Sequence, residues 1–167
     1  MTISETDPSG PVLFCFDGSE GSRAALASAA TLLAPRDAVV LTVWETVSMR
    51  LQASGLGVGL AGNYVADEGE LDAREESTAR EAAEQGARLG QARGWNATPR
   101  AEQATVAVWK TIVEVADAID ASLIVSGTRG RNPVKRALLG SVSEAVLHNS
   151  HRPTLIAPRL EGAVRVR

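Results

Sequence analysis

Apolar residues fall along this chain in two alternating rhythms. Short unbroken runs occur at 11–17 (PVLFCFD), 38–44 (AVVLTVW), 122–126 (SLIVS) and 153–158 (PTLIAP). Runs of this length bounded by turn residues read as buried strands. Longer stretches between them repeat apolar positions every three or four residues, as helices do. After a turn over Gly18 to Ser22, Arg23 to Ala34 is rich in alanine and leucine and predicts a helix; Pro35, Arg36 and Asp37 break it. Asp67 to Arg93 predicts an exposed helix, because Glu76 with Arg80 and Glu84 with Arg88 are acid-then-base pairs at a spacing of four. Gly94 ends it. Val106, Trp109, Ile112, Val113, Ala116 and Ile119 lie at helical spacing and should face a core. Asn96 to Glu102 is a more polar strand candidate, and Ser141 to Asn149 a short helix. Glu45 to Ala66 has no clear period, contains four glycines and reads as a mobile loop; RLEGAVRVR reads as a tail.

Apolar strands alternating with amphipathic helices predict an α/β fold, a parallel sheet covered on both faces. Such sheets take ligands at the carboxyl ends of their strands, near the switch in strand order. Three places therefore matter: just after Asp17, just after Trp44 and just after Gly127.

At 167 residues the chain is expected to be one domain, 1–167, with its core at about 10–158. The net charge of −3 makes no general case for nucleic acid. The first ten residues lack the basic start and apolar stretch of a secretory signal, and no run is long enough to span a bilayer. A cytoplasmic place is expected, with no membrane and no nucleic-acid partner. Cys15 is the sole cysteine, so no internal disulfide forms; inside VLFCF it reads as a small buried hydrophobe. Fifteen of the seventeen cationic residues are arginine, which suits planar recognition of oxyanions.

The third of the three places opens the stretch GTRGRNPVKRALLGSVSEAVLHN, 127–149. Gly127 ends a strand, where a glycine permits a sharp exit at positive φ. Gly130 would let the loop approach an anion closely. Gly140 and Ser141 open a helix, whose first amides, at Ser141, Val142 and Ser143, lack intrahelical partners and favour a phosphate. The hydroxyls of Ser141 and Ser143 add donors, and Arg129, Arg131, Lys135 and Arg136 add positive charge. A second reading needs no ligand: Ser141 and Glu144 spell the capping box S-x-x-E, and glycines flank many strand ends. Asp17 carries a similar choice. With Gly18 and Ser19 it makes a turn and caps the first helix, or it meets a ligand.

G-x2-G-x9-G-S, spelled by Gly127, Gly130, Gly140 and Ser141, resembles the nucleotide-binding motif of the universal stress protein family, in its ATP-binding branch. Thr128 and Arg129 fit it too. FCFDGSEGSRAALASAA is similar to that family's opening strand, acid and helix, DASLIVSGTRGR to its fourth strand and loop, and GSVSEAVLHNSHRPTLIAP to its last helix and strand. The resemblance implies an open five-stranded parallel sheet of order 3-2-1-4-5, Rossmann-like and of the adenine nucleotide alpha hydrolase type. It also implies a homodimer joined through the last strand. It implies that the glycine loop and Ser141 hold the phosphates of ATP, that Asp17 lies near the ribose or a nucleotide-bound Mg²⁺, and that the strand end about Val43 meets adenine. Two positions depart from the family's habit. Ser122 stands where an aspartate is common, and His151 and Arg152 precede Pro153 where a proline-cysteine-proline run is common.

Other signals carry less. Gly57-x-Gly59-x-x-Gly62 spells a dinucleotide fingerprint, but more than ten loop residues separate it from the preceding strand. His148 and His151 fall at a helix end with no third ligand beside them, and three scattered tryptophans make no stacking platform. The chain lacks S-G-G-x-D-S, H-x-G-H and a Walker lysine, and offers charge-offsetting groups without a nucleophile. The expected role is therefore a regulatory ATP-binding protein read by another protein, with at most slow hydrolysis and no catalytic residues. An adenine-nucleotide-using enzyme and a structural dimer without nucleotide are the alternatives.

Overall fold

The four apolar runs become strands, and a fifth strand forms from the polar stretch between them. The computed structural model describes residues 9–53, 68–128 and 139–158. Its strands are β1 (Val12–Cys15), β2 (Asp37–Trp44), β3 (Asn96–Gln103), β4 (Leu123–Gly127) and β5 (Thr154–Ala157). Each neighbouring pair is parallel and the order is β3-β2-β1-β4-β5, as expected. The helices are α1 (Glu20–Leu32), α2 (Val47–Ala53), α3 (Glu68–Gln91), α4 (Val108–Ala118) and α5 (Ser141–Asn149).

Successive side chains of a strand point to opposite faces. Val12, Phe14 and Phe16 enter one apolar cluster with Ala25, Leu26 and Ala29 of α1 and Ala87 of α3. Leu13 enters the other, with Ile112, Val115 and Ala116 of α4 and Val146 of α5. Because both faces are dry, the central strands read as unbroken apolar runs. α3 lies on the sheet through small buried residues, Ala79, Ala83, Gly86, Ala87 and Gly90. Its outer side carries the pairs Arg80–Glu76 and Arg88–Glu84 at 2.6 and 3.5 Å. Among the described residues β3 has one neighbour, β2, and its polar composition and Pro99 suit an edge strand.

The stretch expected to be a loop from Glu45 to Ala66 begins instead with α2. Thr46 Oγ1 accepts the Met49 N–H at 3.2 Å, a local cap. The remaining support comes from α3: Asp72 Oδ1 accepts the Val47 N–H at 2.8 Å, and Glu75 pairs with Arg50 at 2.7 Å. Those partners lie some twenty-five residues away, so no local period reveals the helix. Residues 54–67, with Gly57, Gly59 and Gly62, lie outside the described residues.

Arg152 fastens the amino end of the sheet. Its guanidinium donates to Asp117 at 3.2 Å, to Asp120 at 2.5 Å and to the Ala121 carbonyl at 3.0 Å. It thereby ties the α5–β5 connection to the turn between α4 and β4, where Asp120 takes φ 50°. Ser122 serves the same end, donating to the Gly10 carbonyl at 2.7 Å. Both departures from the family's habit are thus structural bonds, far from the carboxyl edge.

Cys15 is half-buried, packed beside the α4–α5 cluster. Burial, with Asp17 adding a smaller repulsion, pushes its thiol from the ordinary 9.0 up to about 12. The folded chain keeps this proton while an unfolded chain sheds it above 9.0, so the contribution to stability is present at neutral pH and lost as pH rises toward 12. Iodoacetamide at about pH 8.5 should leave the native thiol unmodified and label it after denaturation; rapid labelling of the native protein would contradict this. Arg152→Ala should cost about 1–2 kcal/mol in urea unfolding, the bonds being charge-assisted but their acids partly exposed. Arg152→Lys should recover only part, since one ammonium does not reproduce the planar fork.

Candidate functional site

The chain runs outward from β1 through β2 to β3, then returns to place β4 and β5 on the other side of β1. The switch in strand order therefore lies between β1 and β4, and two connections leave from their carboxyl ends. The first runs from Phe16 to α1, the second from Thr128 to α5.

The first connection is held by short bonds. The Phe16 N–H donates to the Leu41 carbonyl at 2.8 Å, and buried Thr42 donates its hydroxyl to the Phe16 carbonyl at 2.6 Å. Asp17 Oδ1 accepts the Ser19 N–H at 3.0 Å, and Gly18 turns with φ 77°. Ser19 is the cap of α1, accepting the Ser22 N–H at 3.2 Å; Asp17 shapes the turn that leads to it. The helix therefore starts at Glu20, three residues before the expected Arg23. Arg23 Nε donates to the Gly18 carbonyl at 3.2 Å and its guanidinium reaches Gln85 of α3 at 2.7 Å. Sequence patterning missed Arg23 and Thr42. A threonine inside AVVLTVW was the available sign, because a buried hydroxyl needs a partner.

Gly127 lies inside β4, and the glycines at positive φ among the described residues are Gly18 and Gly94. The expected left-handed exit is replaced by a packing reason. A Cβ on Gly127 would lie 2.8 Å from both the carbonyl carbon and the oxygen of Gly21. Gly127 thus lets the end of β4 touch the first turn of α1, bringing the Asp17 turn and the start of the glycine stretch together. Thr128 is held on both sides of its peptide. Its N–H donates to Ala157 O at 3.0 Å, and its carbonyl accepts the Gly140 N–H at 2.6 Å.

Gly140 is the N-cap of α5, in extended backbone at φ −73°, ψ 147°, and having no side chain it makes no cap bond of its own. The Glu144 N–H bonds the Gly140 carbonyl at 2.9 Å, so Ser141 is the first helical residue. The capping box expected from S-x-x-E does not form, because Ser141 stands one position too late to be the cap. Ser141 is exposed, while Val142 is half-buried against the α4–α5 cluster. Val43, near the end of β2, borders the same cluster. Ser143 is buried and turned inward: its hydroxyl donates to the Gly127 carbonyl at 2.8 Å and lies 3.0 Å from Ser126 Oγ. Arg129 and Gly130, with Arg131, Lys135 and Arg136, lie outside the described residues.

Among the described residues, no group of three or more histidine, cysteine, aspartate or glutamate side chains could hold a metal ion. Among the same residues, no helix is long and apolar enough to cross a membrane. A shallow cavity of about 260 Å³ between β3 and α4 shares none of the candidate residues. Its walls carry the self-neutralising pair Arg100–Glu102, at 2.7 Å.

A stretch of 48 residues is 48% identical to the universal stress protein MJ0531 of Methanocaldococcus jannaschii, covering 29% of this chain and 28% of that protein's length. Among solved structures, hypothetical protein MJ0577 superposes with a TM-score of 0.73 at 21% identity, over 93% of this chain and all of the other. A universal stress protein in complex with cAMP matches at 0.59 and 21% identity, over 90% of this chain and 98% of its own. One from Archaeoglobus fulgidus in complex with dAMP matches at 0.52 and 18%, over 88% and 96%. The family model described as the universal stress protein family matches residues 9–158, which span the whole sheet and both connections. By that match the chain belongs to the universal stress protein family.

Proposed function

We propose that this protein is a regulatory ATP-binding protein whose nucleotide lies over the carboxyl ends of β1 and β4. One observation carries the reading. The Gly140 N–H bonds the Thr128 carbonyl at 2.6 Å, which sets the N-terminus of α5 beside the end of β4. Amides at a helix start whose N-cap is a glycine, with no hydroxyl or carboxylate of its own, fit a phosphate. Val43 and Val142, half-buried beside the α4–α5 cluster, bring apolar surface near the strand ends, and Asp17 brings a carboxylate in the turn after β1. Mg²⁺ fits only by way of the nucleotide: Asp17 brings one carboxylate, and an ion of this kind takes its remaining oxygens from phosphate and water. In this reading Gly127, Thr128, Arg129, Gly130, Gly140 and Ser141 hold the phosphates. The cAMP and dAMP held by two proteins of similar fold support an adenine nucleotide.

The role proposed is a signal and not a turnover. Nucleotide would favour one conformation or one dimer, and another protein in the cytoplasm would read it. Among the described residues β5 has β4 as its one sheet neighbour, and its Thr154, Leu155 and Ile156 are half-buried, which suits pairing with a second copy. The second reading, an enzyme of the same wider superfamily, would need a nucleophile beside the phosphates.

Analysis of the supernatant from denatured, purified protein should find adenine nucleotide. Calorimetry should then give ATP binding with negligible turnover, with or without Mg²⁺; rapid hydrolysis would favour the enzyme, and no binding at millimolar ATP the structural dimer. Gly140→Val should lose affinity about tenfold or more, with little change in melting temperature. Valine adopts the extended backbone of Gly140 readily, so its side chain costs space and not strain. Wild-type affinity in that variant would refute the contact. Asp17→Ala should weaken ATP binding less, by about threefold. A lower melting temperature with ATP affinity intact would leave Asp17 with the Ser19 turn alone.

A further inference from the structure

We infer that Ser143 is a positioning residue for the nucleotide, acting through the carbonyl of Gly127 and not by touching phosphate; this rests on the ATP-binding reading above. Ser143 is 6% exposed and Ser126 7%, and their hydroxyl oxygens lie 3.0 Å apart. Ser143 donates to the Gly127 carbonyl at 2.8 Å; Ser126 stands 3.3 Å from the same oxygen. The protons are accounted for. Ser143 gives its own to Gly127, and Ser126 gives its own to Ser143 or to that carbonyl.

The consequence is geometric. Ser143 is the third residue of α5, and Gly127 the last of β4. Their bond joins the two ends of the glycine stretch, as does the bond from Gly140 to Thr128. Two links at different depths fix a direction where one fixes only a distance. The first amides of α5 are thereby aimed over the strand end, whatever the course of the chain between them. Gly127 is itself pressed against Gly21, so the same bond refers the helix to the turn that carries Asp17. A hydroxyl facing inward to a carbonyl is taken out of the set that reaches a ligand.

Three variants in the full-length chain test this with ATP as the probe. Ser143→Ala should lower ATP affinity about tenfold when measured by calorimetry well below its melting temperature. Ser143→Thr, which keeps the hydroxyl, should bind within about twofold of wild type. Ser126→Ala, which leaves the Ser143–Gly127 bond in place, should lose about two- to threefold. Amide exchange in the free protein supplies an independent readout: Ser143→Ala should speed exchange at Gly140, whose N–H is the outer link. A Ser143→Ala protein with a lowered melting temperature but wild-type affinity and Gly140 exchange would overturn the inference. Should that variant not fold, Ser143→Cys, of similar volume and weaker as a donor, carries the test. Reduced affinity in a folded Cys variant supports positioning, and unchanged affinity overturns it. A wild-type chain that binds no ATP would reject the ATP reading and this inference together, whereas binding by wild type equalled by Ser143→Ala rejects this one alone.

Discussion

Gly127 sits where the end of β4 meets the first turn of α1, and an added Cβ would lie 2.8 Å from the carbonyl of Gly21. Backbone against backbone at this point is the constraint on which the carboxyl edge depends. It brings the end of β4 against the first turn of α1 without a side chain between them. The Asp17 turn that precedes α1 is thereby linked to the Thr128 peptide, which holds the head of α5 through the Gly140 N–H. Any larger residue at 127 would push α1 away from the sheet and separate the pieces.

Around that contact, small polar groups do what packing alone does not. Thr42 secures the end of β1, Arg23 the Gly18 carbonyl, and Ser143 the Gly127 carbonyl. Each donates to a backbone oxygen, those of Phe16 and Gly18 in the connection after β1 and that of Gly127 at the last residue of β4. Buried carbonyls left unpaired are costly, so these donors stabilise the edge. The opposite edge is organised in another way. Arg152 and Ser122 bind connecting segments to one another there. The candidate chemistry lies at the carboxyl ends of the strands, where a parallel sheet takes its ligands.

The elements that patterning found share a feature: their stabilisation is local or is spread over many apolar contacts. The runs at 11–17, 38–44 and 122–126 are buried on both faces, and no polar alternative competes with a strand there. β3 was harder to see because an edge strand covered on part of its surface needs few apolar residues. α2 was missed for the reason that makes it stable, since Asp72 and Glu75 reach it from the next helix. At the candidate site, glycine spacing pointed to one segment but misassigned reasons within it. The Gly127 requirement is steric and not conformational, the capping box is absent, and the Ser143 hydroxyl faces the protein interior.

The chain's own order of apolar runs and helical periods determined the class of fold, the covering of both sheet faces and the edge that carries the candidate site. These follow from burial and from the geometry of short connections, which any stretch of residues expresses locally. Which glycine touches which backbone, which serine turns inward and which arginine fastens a turn were decided only when segments distant in the chain met. Those outcomes rest on contacts between residues such as Gly127 and Gly21, more than a hundred positions apart, and no local pattern encodes a distance of that kind.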